Sequence, residues 1–74
     1  MDKEKLRKIQ DLIVAIDTNG EILKFQVRNI LNIYNLWVSG NEDLEALIET
    51  INSTLKIAKR FEKDLKDLKK LLRG

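Results

Sequence analysis

The side chains that could do chemistry in this chain are carboxylates, amines, amides and hydroxyls, because its 74 residues include no Cys and no His. Zinc, haem and copper sites draw their ligands mainly from those two residue types. Acid–base and nucleophilic catalysis also depend on them most often, and no glycine-rich phosphate loop is present. We therefore expect no enzymatic activity, no cofactor and no transition-metal site.

One short segment has the residue spacing of a calcium loop. Residues 15–26 place Asp17, Asn19 and Gly20 at the third, fifth and sixth positions of a degenerate EF-hand loop. The first and twelfth positions, where an EF-hand carries its most important carboxylates, hold Ala15 and Gln26. The sequence therefore disfavours tight calcium binding and favours an ordinary turn between helices.

The basic C-terminal stretch is a second candidate for ligand binding. Residues 56–73 carry eight basic and three acidic side chains, whereas residues 9–55 carry two basic and seven acidic ones. Lysine and arginine could contact phosphate, but cations are also expected at the C-terminal end of a helix. Because no exposed aromatic side chain is predicted among them to stack on bases, the pattern disfavours nucleic-acid binding.

The elements that must position these groups are predicted to be helices. Apolar residues recur every three or four positions and predict helix A over about residues 2–17, helix B over about 21–39 and helix C over about 42–73. Asn19-Gly20 is expected to separate A from B, and Ser39-Gly40-Asn41 to separate B from C. The predicted fold is a single all-α domain with two short helices and one long heptad-patterned helix, arranged as a helical bundle or a coiled-coil-like hairpin.

Helix C carries the clearest pattern, a heptad repeat of two apolar columns. The first column is Leu44, Ile51, Ala58, Leu65 and Leu72, and the second is Leu47, Thr54, Phe61 and Leu68. Helix C would span about 48 Å and helices A and B about 25 Å each. Either A folds back on B and leaves the end of C uncovered, or A continues B with a kink at Asn19-Gly20 and covers it.

Both arrangements leave apolar surface exposed, so the sequence predicts helix-to-helix association. A chain this short has a marginal core and, without cysteine, must gain stability by oligomerisation. We expect the partner to be a second copy, most simply in a dimer, or another helical protein. The candidate association surface consists of Phe61, Leu65, Leu68, Leu71, Leu72, Phe25, Ile33 and Leu36.

The lack of Pro, Cys, His and internal Met, together with capped helices, a long heptad and charges matched to the helix dipoles, resembles computationally designed helical bundles. This resemblance implies a structural or self-assembling bundle without enzymatic activity. The alternative is a small phage or bacterial regulator that binds a protein partner or, through helix C, nucleic acid. Asn29, Asn32 and Asn35 in one helix fit that alternative better. No run of 18 apolar residues occurs, so we expect a soluble protein, cytoplasmic if natural.

Overall fold

The computed structural model describes residues 2–74, which form two α-helices, α1 over Lys3–Val38 and α2 over Leu44–Arg73. The helices run antiparallel as a hairpin that measures 57 × 14 × 13 Å. The 36 residues of α1 span about 54 Å at 1.5 Å per residue. A sharply kinked α1 would make the hairpin shorter or wider than this, so α1 runs without a sharp kink. The prediction of an all-α fold is confirmed, and the architecture is a helical hairpin.

The prediction of three helices is wrong, since the predicted helices A (about 2–17) and B (about 21–39) are one continuous helix. Asn19 and Gly20 lie in its interior, where each costs up to about 1 kcal/mol relative to Ala. Packing against α2 offsets this cost. The side-chain amide of Asn19 donates a hydrogen bond to Asp64 at 3.3 Å, and the ring of Phe61 lies over Gly20. Tertiary contact therefore overrides the local turn signal, and helix A continues helix B.

The turn between the helices ends α1 at a glycine, as the Ser39-Gly40-Asn41 sequence predicted. Gly40 has φ +82°, a left-handed conformation that glycine adopts without steric cost. Its N–H donates to the carbonyl of Trp37 at 3.0 Å, and the N–H of Asn41 donates to the carbonyl of Leu36 at 2.8 Å. These two bonds form a Schellman motif, which satisfies carbonyls that would otherwise lack partners at the helix end.

Each helix begins at an aspartate cap. The carboxylate of Asp2 accepts a hydrogen bond from the backbone N–H of Lys5 at 2.8 Å, and that of Asp43 accepts from Ala46 at 2.9 Å. A cap of this kind stabilises a helix by about 0.5–2 kcal/mol. Since Asp43 is the cap, α2 begins at Leu44, two residues later than the predicted helix C.

Candidate association surface

The contact between α1 and α2 follows heptad spacing on both helices. The buried and half-buried residues of α1 include a series that alternates by four and three positions: Lys5, Ile9, Leu12, Ile16, Asn19, Leu23, Gln26, Ile30 and Ile33. The matching series on α2 is Leu47, Thr50, Thr54, Ile57, Phe61, Asp64, Leu68 and Leu71. This alternation is the pattern of helices in coiled-coil contact. We call these seventeen residues the hairpin seam, and within it Ile9 and Leu47 are buried.

The heptad predicted for helix C places one of its two columns correctly. The column that begins at Leu47 lies in the hairpin seam, but the column that begins at Leu44 lies beside it. The second column of the seam is instead Thr50, Ile57, Asp64 and Leu71. Apolar residues occupy three adjacent columns of α2, so periodicity alone could not decide which two columns face α1. The interaction of Asp64 with Asn19 favours the observed choice.

The hairpin has two different sides. In two antiparallel helices, the residues that follow the seam in the heptad of one helix lie on the same side as those that follow it in the other. A groove on one side is lined by charged residues of both helices, namely Lys8, Asp11, Asp67 and Lys70. The heptad geometry then brings the opposite flanks together on the other side. Those flanks consist of every seventh residue from Leu6 on α1 and from Leu44 on α2, together with the adjacent outer columns that contain Leu31 and Val38 on α1 and Ile48 and Leu55 on α2. A second groove, where Val27 and Leu31 lie near Phe61, opens on this side.

This second side carries apolar side chains from one end of the hairpin to the other. It holds twelve large apolar residues, each more than a third exposed. We call these residues the apolar side: Leu6, Ile13, Val27, Leu31, Tyr34 and Val38 of α1, and Leu44, Ile48, Ile51, Leu55, Leu65 and Leu72 of α2. Polar residues interrupt it mainly at mid-length and toward the chain ends, at Asp17, Lys24, Glu62 and Lys69. Folding of the hairpin therefore leaves a long apolar surface in contact with water.

The opposite side has a smaller apolar patch. Phe25, with 72% of its side chain exposed, lies there with Ile22 and Leu36. Asn29 and Asn32 separate these residues on α1. The facing flank of α2 contributes polar and charged residues, namely Glu49, Ser53, Lys56, Arg60 and Lys63. This patch is therefore discontinuous.

The predicted association residues do not form one surface. Four of them, Phe61, Leu68, Leu71 and Ile33, are half-buried in the hairpin seam. Leu65 and Leu72 belong to the apolar side, and Phe25 and Leu36 lie on the opposite side. Of the two predicted arrangements, one left the end of helix C uncovered and the other covered it with helix A. In the structure the first half of α1 covers it, so these seam residues pack within the chain. Whether these residues take part in association remains a prediction.

Sequence reasoning missed most of the apolar side. The signal lay in two series of apolar residues outside the seam, each alternating by four and three positions. They are Val27, Leu31, Tyr34 and Val38 on α1, and Leu44, Ile48, Ile51 and Leu55 on α2. Each series is a heptad column pair in its own right. Their significance becomes clear only when the hairpin seam is known to use other columns.

The segment that resembles a calcium loop lies within α1 and is therefore no loop. Asp17 is exposed, while the amide of Asn19 is bound to Asp64. Between residues 2 and 74, no three His, Cys, Asp or Glu side chains come together in a group that could hold a metal ion. In the same part of the chain, no helix is both long and apolar enough to cross a lipid bilayer.

The basic residues of α2 lie close to acidic residues of the same helix. Lys66 lies 3.1 Å from Glu62 and Lys63 lies 3.6 Å from Asp67, both one helical turn apart. All four side chains are well exposed, so each pair contributes at most about 0.5 kcal/mol to helix stability. These carboxylates also reduce the positive field that a phosphate backbone would meet on this helix.

The chain matches no protein-family model, no curated protein and no solved structure.

Proposed function

We propose that this chain is a structural, self-associating helical module, in which the apolar side of one hairpin packs against the apolar side of a second copy to form a four-helix bundle. One observation carries the proposal. Within residues 2–74 two apolar side chains are buried, while the apolar side leaves twelve large ones exposed along one surface. Contiguous apolar surface on this scale is typical of a protein–protein interface.

The exposed surface contains more apolar residues than the seam that holds the hairpin together. Six of the seventeen seam positions are polar, including Asn19, Gln26 and Asp64, and this weakens the contribution of the seam to stability. On the apolar side, Leu31 is 58% exposed in the hairpin. Its complete burial by a partner would therefore add about half of the 1.5–3 kcal/mol that full burial of a leucine contributes. In a two-fold dimer every such contribution counts twice.

A second copy fits this surface because one column of each helix keeps apolar residues at heptad spacing, from Leu6 to Tyr34 with Gly20 at its centre, and from Leu44 to Leu72. Two such hairpins can interdigitate their side chains in the way that helices of a four-helix bundle do. The surface also runs along the length of a hairpin 57 Å long, as expected when the partner is equally long. The proposed role is structural, because the proposal uses only the packing of apolar side chains.

Sedimentation equilibrium of two matched aspartate variants tests this proposal. Leu31→Asp would place a carboxylate in the interface of each copy, where burial of an unpaired charge costs several kcal/mol. We expect the wild-type chain to be dimeric at about 100 µM and this variant to be monomeric, with a dissociation constant raised at least about 100-fold. Phe25→Asp introduces the same charge at a more exposed residue on the opposite side, and it should leave the dimer intact.

Two results would contradict the proposal. A wild-type chain that sediments as a single 8.6 kDa species at this concentration would show that the apolar side awaits a different partner. Dissociation by Phe25→Asp but not by Leu31→Asp would place the interface on the opposite side of the hairpin.

A further inference from the structure

We infer that the two copies pack antiparallel, with the turn of one hairpin beside the open end of the other and the two-fold axis at the level of Gly20 and Phe61. This inference rests on the proposed function, because it specifies how the second copy is oriented. Three observations favour this orientation over the one that places both turns at the same end.

The first observation is the distribution of charge along the hairpin. The turn half, residues 21–58, carries three basic and five acidic side chains, for a net charge of −2. The open half, residues 2–20 and 59–74, carries eleven basic and seven acidic side chains, for a net charge of +4. Packing turn beside turn would also place the two open halves, each of net charge +4, beside each other. Antiparallel packing instead places each positive open half beside a negative turn half. Complementary potentials of this kind favour one orientation of a complex and disfavour the other.

The second observation is the position of the symmetry centre on each helix. The flank of α1 that faces the partner consists of residues 6, 13, 20, 27 and 34, and Gly20 is its midpoint. An antiparallel copy centred there places Leu6 opposite Tyr34 of the second copy, and Ile13 opposite Val27 of the second copy. Every large side chain on this flank then meets another large apolar side chain.

The same axis also brings the facing flank of α2 into register from Ile51 to Leu72, with Leu44 beyond the overlap. Residues 51 and 72, and residues 58 and 65, are symmetric about a point between residues 61 and 62. That point lies at the level of Gly20, since a Cβ on Gly20 would be 3.4 Å from the Phe61 ring. A single two-fold axis therefore pairs Ile51 with Leu72 of the second copy and lets the two hairpins overlap over nearly their full length.

The third observation is the set of charges that this axis brings together. Asp17 and Lys24 lie on the outer edge of the apolar side, three residues before and four residues after Gly20. Each Asp17 would therefore lie within about 1.5 Å of the level of Lys24 of the second copy. The axis also brings one pair of like charges together, because Glu62 would face Glu62 of the second copy. Lys66 lies 3.1 Å from that carboxylate and reduces the repulsion.

Packing turn beside turn is the competing arrangement. It would stack the turn halves, in which Leu31, Val38, Ile48 and Leu55 widen the apolar side. In the antiparallel arrangement the aliphatic parts of Gln10 and Lys69 of the second copy cover Leu31 and Leu55. Val38 and Ile48 lie at the level of the chain ends of the second copy and stay more exposed. Packing turn beside turn would therefore bury more apolar surface at the turns, whereas the charge of the two halves and the pairing along the α1 flank favour the antiparallel arrangement.

Distance measurement between spin labels tests the orientation, and the absence of native cysteine makes single labelling straightforward. In the turn, Glu42→Cys carries a label that lies about 20 residues, or about 30 Å, from the proposed axis. We expect a label-to-label distance of about 60 Å in the antiparallel dimer, against about 20 Å if the turns lie together. A distance near 20 Å would overturn the inference and leave the proposed dimer standing.

Lys63→Cys is the matched control, because it lies near the axis and outside the apolar side. Its label should give a distance below about 35 Å in either orientation, since four packed helices are about 20 Å across. Absence of dipolar coupling at Lys63→Cys would show that no dimer forms, and both the proposed function and this inference would then fail.

A charge exchange provides a second, independent test. Asp17→Lys should weaken dimerisation about threefold to tenfold, because two Lys–Lys contacts would replace two ion pairs. Adding Lys24→Asp to the same chain should restore the original dissociation constant. Failure of the double variant to recover would show that these residues do not face each other, which overturns the proposed axis.

Discussion

Replacing Gly20 with alanine should stabilise the protein, and the sign of this effect follows from the position of the residue inside α1. In a helix interior glycine is less favourable than alanine by about 0.5–1 kcal/mol, because the glycine backbone loses more conformational freedom on folding. The added methyl group has space, since its nearest neighbour would be the Phe61 ring at 3.4 Å, an ordinary van der Waals distance. We therefore expect Gly20→Ala to raise the free energy of unfolding by about 0.5–1 kcal/mol.

Gly40 is the matched control with the opposite sign. Its φ of +82° lies in the left-handed region, where an L-residue with a Cβ is strained by about 1–2 kcal/mol. Nothing lies within 4 Å of a Cβ at this position, so strain and not a clash is the cause of the loss. Gly40→Ala should therefore lower the free energy of unfolding by at least about 1 kcal/mol.

Urea unfolding followed by circular dichroism at 222 nm measures both effects, with all chains compared at one concentration because association would add to stability. For a protein of this size, a change of 1 kcal/mol moves the midpoint by about 1 M urea or slightly less. A lower midpoint for Gly20→Ala would refute the reasoning. It would indicate that Gly20 needs a left-handed backbone, as it would at a break between two helices.

Three further substitutions or additions follow from the local structure. Asn19→Ala loses the bond to half-buried Asp64, worth about 1 kcal/mol, but gains helix propensity of about 0.5 kcal/mol, so it should lower the free energy of unfolding only slightly, and in an Asp64→Ala background it should raise it. Asp43→Ala should cost about 1 kcal/mol through loss of the α2 cap while Asp43→Asn retains most of the stability, and equal losses in both would argue against capping. Calcium at millimolar concentration should leave the thermal midpoint unchanged, and a clear rise would reveal a binding site that α1 does not show.

The sequence was informative about helix content and about the turn at Gly40. Apolar periodicity predicted helix over nearly all of the chain, and the Ser39-Gly40-Asn41 sequence predicted the single reversal correctly. At Asn19-Gly20 the same reasoning failed, because a local signal for a turn does not report what lies opposite. There the facing residues are Phe61, which packs on the glycine, and Asp64, which binds the asparagine. Both are more than 40 residues away in sequence.

The candidate surface was harder to predict than the fold, for a related reason. Phe61 and Leu68 were predicted to await a partner because helix C was compared with two short helices, and one long α1 covers them instead. Correct placement of the apolar side requires the rotation of both helices about their own axes. That rotation depends on which of three apolar columns of α2 enters the seam, and the observed choice brings Asn19 within hydrogen-bond distance of Asp64.

The division of polar and apolar residues between the seam and the apolar side suggests how folding and association are related. The bond between Asn19 and Asp64 in the seam favours one register of α1 on α2, because a shift by one heptad would separate these two groups. Such a seam gains specificity at the expense of apolar burial, and its hairpin alone buries Ile9 and Leu47. The apolar side has the reverse composition, with many apolar groups and few polar ones to fix alignment, so its alignment depends on charge at its edges. On this reasoning the seam specifies the fold of each copy, while the second copy would add burial of the apolar side. The free energy of unfolding should then be inseparable from chain concentration.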